Sequence, residues 1–154
     1  MTAKLFMNAN PVIIQTTDTI ARGAEQVMAE QRRELPVVDD EGRFQGMLTV
    51  DCLLYLVLPK AATMDRGLDA LPFVQSSLDD LRERLKKYMD KPITLCLQKK
   101  KVAVVHPDTP MLETLLILYH NRTNLPVVEK NTGKLVGTIS YYDVGAKIME
   151  EGFD

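Results

Sequence analysis

Leu35-Pro36-Val37-Val38 recurs 90 residues later as Leu125-Pro126-Val127-Val128, and this pair of segments is the clearest pattern in the sequence. Beyond the segment the spacing becomes 91, so that Gly46 corresponds to Gly137. A one-residue shift confined to a turn is expected when a chain contains two copies of one folding unit. The 154-residue chain therefore consists of two similar units joined by a connecting segment.

Each copy opens with a β-rich run, residues 11–14 in the first and 101–105 in the second. Thr19 and, 90 residues later, Thr109 are then predicted N-caps, with Pro110 at the first helical position. The apolar residues expected to face a core from these helices are Ile20, Ala24, Val27 and Met28 in the first copy and Leu112, Leu115, Leu116 and Tyr119 in the second.

Two short strands around a glycine-containing turn follow in each copy, and a second helix begins at Thr49 or Ser140. The predicted strands are residues 35–38 and 44–48 in the first copy and 125–128 and 135–139 in the second. The fold class is therefore mixed α/β (α+β), with a strand, helix, strand, strand, helix order and small sheets covered by helices. In the connector, Ser77 and Asp80 form a possible capping box that opens a helix to about Tyr88.

The composition excludes several classes of protein. The net charge is -2, with 19 basic and 21 acidic side chains, so nucleic acid and acidic membranes are not predicted partners. Cys52 and Cys96 lie far apart without CxxC spacing, so neither a disulfide framework nor a metal site is predicted, and a reducing cytoplasm is the expected location. The longest apolar stretch, residues 52–58, is too short for membrane insertion. No catalytic triad, glycine-rich phosphate loop or catalytic cofactor site is evident, so the chain is not predicted to be an enzyme.

This organisation resembles the tandem CBS domain, or Bateman module, in which two β-α-β-β-α repeats are related by pseudo-two-fold symmetry. The most specific part of the resemblance is Gly137-Thr138-Ile139-Ser140-Tyr141-Tyr142-Asp143, which matches the family pattern of Gly, two apolar residues, Ser or Thr, two variable residues and Asp. The resemblance implies a first repeat over 1–58, a helical connector over 59–100 and a second repeat over 101–154, together one CBS pair.

The resemblance also implies a ligand site in the cleft between the repeats. In nucleotide-binding relatives the Asp of the motif accepts from the ribose hydroxyls, a role that falls to Asp143, and Ser140 contacts ribose or phosphate. Pro11 and Val12 would flank the adenine. The further residues implied are Ile139 against the base, Arg33 and Glu34 on the rim, Arg32 or Arg33 as a phosphate partner, and Tyr142 either in the cleft or at a dimer surface.

The equivalent cleft on the first repeat departs from the family pattern. Cys52 stands where the ribose-binding Asp is expected, and Asp51 is one residue early, which turns a helical side chain by about 100°. This second, weaker site is predicted to be empty or altered. Its expected walls are Thr49, Asp51, Val102, Thr123 and Asn124.

Two functions from different classes remain open at this point. One is a non-catalytic regulatory module that binds an adenosine-containing ligand (AMP, ADP, ATP or S-adenosylmethionine) and signals to a partner such as an enzyme or transporter. The other is a ligand-free scaffold in which the repeats and the helix from Ser77 to Tyr88 form a homodimer or dock on another protein; it is motivated by the Asp missing from the first cleft, since the sequence does not show that the second cleft is intact. Ser140 and Asp143 also match a capping box that serves their own helix.

Overall fold

The computed structural model describes residues 1–58, 77–97 and 102–150. Within these ranges, five α-helices and five strands make up the two repeats and the helix between them. In chain order the elements are β1 (Ile14–Gln15), α1 (Ile20–Glu30), β2 (Glu34–Val38), β3 (Phe44–Thr49), α2 (Val50–Val57), α3 (Leu78–Lys86), α4 (Met111–Asn121), β4 (Leu125–Val128), β5 (Leu135–Ile139) and α5 (Tyr141–Met149). Short 3₁₀ helices at Ala3–Leu5 and Ile93–Cys96 precede the two repeats.

The two hairpins confirm the predicted strands. In the first repeat β2 pairs antiparallel with β3 and parallel with β1, with Ile14 opposite Val37. In the second repeat β4 and β5 form the equivalent hairpin. The predicted opening strands are much shorter than expected: only Ile14 and Gln15 form β1, and Val105 alone makes a parallel bridge, to Val127, while Lys101 lies outside the described residues.

The spacing between equivalent residues is 91, not 90, through the first strand and helix of each repeat. Asp18 Oδ2 accepts from the backbone N–H of Gln15, and Thr109 Oγ1 accepts in the same way from His106. Thr19 is the N-cap of α1, as predicted, but Pro110 is the N-cap of α4. The predicted N-cap at Thr109 is therefore wrong by one residue, because its hydroxyl holds the preceding turn.

Helix α4 also buries a different face from the predicted one. Thr114 and Leu118 are buried, whereas Leu112, Leu116 and Tyr119 are exposed. The hydroxyl of Thr114 donates to the carbonyl of Pro110, which lets a polar side chain lie in the core without an unmade hydrogen bond. In α1, Ile20 and Val27 are buried as predicted, but Met28 is exposed.

The segment that precedes each repeat packs into the core of the other repeat. These two exchanged segments comprise residues 3–8, which pack on the second repeat, and residues 93–97, which pack on the first. Ala3 and Phe6 are buried with Leu118, Leu125 and Ile139 of the second repeat. Ile93 and Cys96 are buried with Ile14, Leu35 and Leu48 of the first repeat. Backbone bridges hold both segments: Asn8 with Thr138 on one side and Leu97 with Leu48 on the other. Neither core is complete without residues from beyond its own β-α-β-β-α unit.

This exchange brings the two cysteines together. Cys52 in the first turn of α2 forms a disulfide with Cys96, with a Cα–Cα distance of 5.6 Å. The prediction of unpaired cysteines is therefore wrong. Their 44-residue separation in sequence is closed because Ile93–Cys96 returns to the first repeat.

Equivalent residues of the two repeats meet at the pseudo-two-fold axis. The backbone N–H of Phe44 donates to Gly133, and that of Leu135 donates to Gly42, each at 3.0 Å. Gly42 and Gly133 have φ of +80° and +75°, a conformation that glycine adopts without steric cost. The two hairpin turns therefore bond reciprocally and fix how the repeats face each other.

The packing of the exchanged N-terminal segment against Gly137 in β5 leads to a stability prediction. A Cβ atom on Gly137 would lie 2.6 Å from the carbonyl oxygen of Asn8, so Gly137→Ala forces the exchanged segment away from β5. We expect a loss of about 1–3 kcal/mol in the free energy of unfolding, measured by denaturant titration. Gly145→Ala is the matched control, since nothing lies within 4 Å of its Cβ position in α5; it should be neutral or stabilising by up to about 1 kcal/mol. Equal effects of the two changes would contradict this account.

Candidate functional site

A cavity of about 170 Å³ lies between the repeats, and the motif of the second repeat forms one of its walls. Six of the residues predicted for this site line it together: Pro11, Val12, Arg32, Glu34, Ser140 and Asp143. Asn124, predicted for the weaker site, lines it as well. Sequence reasoning missed Asn8, Asn10 and Met47, which also line it. Asn8 and Asn10 belong to the exchanged N-terminal segment, and no sequence motif marks such a segment.

Asp143 is held at the cavity by the start of α5. Ser140 is the N-cap, and its backbone N–H and hydroxyl both donate to Asp143 Oδ2, at 2.8 and 2.9 Å. The backbone N–H of Asp143 in turn donates to Ser140 Oγ at 3.1 Å. Within the described part of the chain, Oδ1 of Asp143 makes no hydrogen bond. The capping box therefore fixes the carboxylate and leaves one oxygen for another donor.

Three predicted ligand contacts lie elsewhere. The side chain of Ile139 is 0% exposed in the core of the second repeat and does not line the cavity. Arg33 and Tyr142 line a second, larger cavity of about 560 Å³. Four residues of the predicted weaker site also line that cavity, namely Thr49, Asp51, Thr123 and Asn124, whereas Val102 does not.

The two cavities adjoin and differ in charge. They share Arg32, Glu34 and Asn124. The ionisable side chains around the smaller cavity are Arg32 and the carboxylates of Glu30, Glu34 and Asp143. Around the larger cavity they are Arg32, Arg33 and Arg122 together with Glu34 and Asp51. The smaller cavity is therefore acidic, and the larger one has an excess of positive charge.

Glu34 and Asn124 form the boundary between the cavities. They are equivalent residues, each immediately before the LPVV strand, and the backbone N–H of Asn124 donates to Glu34 Oε1 at 2.7 Å. Burial raises the pKa of the Glu34 carboxyl above its usual value, and Asp51 acts in the same direction; the bond from Asn124 and the charge of Arg33 oppose the rise. A carboxylate thus lies on the axis where both repeats and both cavities meet.

The protein-family model of the CBS domain matches residues 3–58 and 85–150 of this sequence. The chain belongs to the CBS domain family. The two matched segments are the two repeats of a CBS pair, and the fold and the tandem arrangement predicted from the sequence are confirmed. None of the curated proteins matches the sequence.

Solved structures share this fold. MJ1004 of M. jannaschii aligns with a TM-score of 0.71 at 20% identity over 97% of this chain and 60% of its own, so this CBS pair spans less than two thirds of that relative. CBSX2 from Arabidopsis thaliana, in complex with AMP, aligns with a TM-score of 0.69 at 20% identity over 97% of this chain and 96% of its own. The CBS domain pair of MJ0100, in complex with 5′-methylthioadenosine and S-adenosyl-L-methionine, gives 0.60 at 17% identity over 96% and 99%.

Over residues 1–58, 77–97 and 102–150 no group of three or more His, Cys, Asp or Glu side chains is arranged to hold a metal ion. In the same ranges of this CBS pair, every helix is too short or too polar to span a bilayer.

The position of Glu34 makes the stability of the protein depend on pH. Because its pKa is raised on folding, its contribution to stability is full below the unfolded pKa and is lost as the pH rises through the folded pKa. Glu34→Gln keeps an acceptor for Asn124 and removes the charge. We expect the melting temperature of the variant to rise relative to wild type between pH 4 and pH 7. Thermal melts at both pH values test this, with the exposed Glu113→Gln as a control for the loss of a carboxylate; a falling or constant difference would contradict it.

Proposed function

We propose that this CBS pair is a non-catalytic regulatory module that binds an adenosine nucleotide across the two adjoining cavities. The observation that carries the proposal is the opposite charge of the cavities around Glu34 and Asn124. A nucleotide has the matching division, with hydroxyl donors on the ribose and negative charge on the phosphate. An acidic cavity suits the first part, and an arginine-lined cavity suits the second.

Asp143 is the proposed ribose partner. Its Oδ2 is held by Ser140, so Oδ1 can accept from a ribose hydroxyl without loss of the helix cap. A carboxylate that is already fixed loses little side-chain freedom on binding, which favours affinity. The capping-box interpretation and the ligand-binding interpretation are therefore compatible, since each uses a different oxygen.

Arg32, Arg33 and Arg122 are the proposed phosphate partners. Guanidinium groups match phosphate oxygens with paired, charge-assisted hydrogen bonds. Arg122 is brought to this position by its left-handed conformation at the end of α4, with φ of +56°. These arginines favour AMP, ADP or ATP over S-adenosylmethionine, whose sulfonium group is cationic. The relatives bound to AMP and to S-adenosyl-L-methionine support an adenosine ligand in general.

The position of the smaller cavity between the repeats suits a regulatory mechanism. A nucleotide that contacts residues of both repeats binds best at one angle between them, and occupancy shifts the population toward that state. The change in angle between the repeats is the proposed signal to a partner protein, an enzyme or a transporter.

Asp143→Ala tests the ribose contact. We expect the affinity for AMP to fall at least tenfold, since a hydrogen bond to a charged group contributes about 1.5–3 kcal/mol. Isothermal titration calorimetry measures the loss. Asp80→Ala is the matched control: Asp80 forms the same capping box with Ser77 at the start of α3, which the described cavities do not include. Both changes remove a helix cap, so equal AMP affinities in the two variants would refute the ribose role.

Arg32→Gln tests the division between nucleoside and phosphate. We expect the affinity for AMP to fall severalfold, whereas the affinity for adenosine, which has no phosphate, stays the same. Arg82→Gln, on the exposed side of α3 in a pair with Asp79, controls for the loss of one positive charge. An equal fall for AMP and adenosine would show that Arg32 supports the cavity without contacting phosphate.

The proposal includes the oligomeric state, which we expect to be a homodimer. Exposed apolar residues on the equivalent helices α2 and α5, including Leu54, Tyr55, Tyr142 and Met149, favour a homodimer. We place the protein in the cytoplasm, where adenine nucleotides are available, and expect no catalysis and no nucleic-acid partner. Native mass spectrometry tests both the dimer and its ligand. A stable dimer that neither retains nor binds nucleotide would favour the alternative function, a ligand-free interaction scaffold.

A further inference from the structure

The first turns of α2 and α5 are equivalent but are held in different ways. Asp143, at the third helical position of α5, closes a capping box with Ser140. Cys52 occupies the same position in α2 and is bonded to Cys96, while the N-cap Thr49 makes no side-chain capping bond. The disulfide therefore stands where the second repeat uses a capping carboxylate.

The other end of the disulfide lies in the exchanged segment. Cys96 ends the 3₁₀ helix Ile93–Cys96, whose Ile93 is 0% exposed in the core of the first repeat. Leu97 then bridges Leu48 in β3. The disulfide thus ties α2 to the segment that completes this core, and it closes a 44-residue separation in sequence.

Cys52 and Cys96 differ in exposure, and only Cys52 lies next to residues that line the larger cavity. Cys96 is buried at 3% exposure, but Cys52 is only partly buried. Cys52 follows Thr49, Val50 and Asp51, which line the larger cavity. We therefore expect a reagent to approach the bond from the side of Cys52, where a change acts on the helix turn at the cavity wall.

We propose that Cys52 and Cys96 form a reversible redox-modification site whose state controls how firmly the exchanged segment and α2 are held to the first repeat. The reductant is a dithiol. One of its thiolates attacks Cys52 Sγ, forms a mixed disulfide and releases the Cys96 thiolate. The second thiol of the reagent then displaces the Cys52 thiolate. The reagent leaves as a disulfide, two electrons reduce the protein, and the two protons of the dithiol end on the two cysteines.

Reduction breaks the covalent bond between α2 and residues 93–97, and the free thiol of Cys52 does not replace it. A thiol at position 52 is a weak donor and a weak acceptor, so it does not replace the carboxylate that caps α5. The exchanged segment is then held by noncovalent contacts only, among them the burial of Ile93, the backbone bond from Ile93 to Asp18 and the bridge between Leu97 and Leu48. Reduced protein is consequently less stable, its first repeat opens more readily, and the walls formed by Val50 and Asp51 are less well ordered.

The first test uses no nucleotide, so its outcome is independent of the proposed function. Protein is treated with oxidised or reduced dithiothreitol, and thiols are counted by alkylation and intact mass. We expect one disulfide in the oxidised protein and complete, reversible reduction without denaturant, with a melting temperature about 5–15 °C lower in the reduced state. Two free thiols after oxidation, a bond that dithiol reduces only in denaturant, or equal melting temperatures would each overturn the proposal.

The double variant Cys52→Ser, Cys96→Ala is the second measurement. We expect it to melt near the temperature of reduced wild type, with no response to dithiothreitol. Hydrogen exchange on oxidised and reduced wild type keeps the test decisive if the variant does not fold: exchange should rise on reduction in residues 50–57 and 93–97, and not in 141–149. Equal changes in α2 and α5 would contradict a local effect of the disulfide.

A final arm rests on the proposed function. AMP affinity is measured for both redox states, and we expect severalfold weaker binding by the reduced protein. If neither state binds AMP, the proposed function fails while the redox site stands on the stability and exchange data. Equal binding in both states would overturn the link between the disulfide and the cleft.

Discussion

The reciprocal exchange of leading segments is the constraint on which the remaining structure depends. Phe6 completes the core of the second repeat, and Ile93 completes the core of the first. A unit of about fifty residues buries too little surface to be robust alone, so each repeat gains stability from a segment that precedes the other. The exchange links the two cores, and it places Asn8 against β5, where it lines the smaller cavity, and Leu97 against β3.

The two repeats contact each other through equivalent residues at the axis, and they differ in the first turns of α2 and α5. At the axis, equivalent residues bond to each other: Glu34 to Asn124, and the two hairpin turns reciprocally. A change in one partner there disturbs both repeats. Away from the axis, the first turns of the two helices are held differently: Cys52 forms a disulfide where the equivalent Asp143 closes a capping box.

The sequence predicted those features that depend on local patterns. The LPVV hairpins, the turns at Gly42 and Gly133, and the N-caps Thr19, Thr49, Ser77 and Ser140 each follow from a few adjacent residues. The features that depend on contacts distant in sequence were not predictable in this way. The buried face of α4 is set by a one-residue shift and by the internal bond of Thr114, and the disulfide is set by the return of Ile93–Cys96. In the site, the family resemblance predicted Ser140, Asp143, Arg32 and Arg33, but it did not reveal Arg122, which the tertiary fold brings to the larger cavity from the second repeat.

In the proposed function, Asp143 connects stability with binding. A free carboxylate in a cleft would lose side-chain freedom and hydration when it bound a ligand, and both losses would reduce affinity. Because Ser140 already holds Oδ2, most of that ordering occurs when the protein folds, and the helix cap compensates for it. The entropy lost in fixing the Asp143 carboxylate is thus offset by the hydrogen bonds that cap α5. In the first repeat Cys52 holds the equivalent position and is bonded to Cys96, so no carboxylate stands there, and the proposed ribose contact has no counterpart in the equivalent cleft.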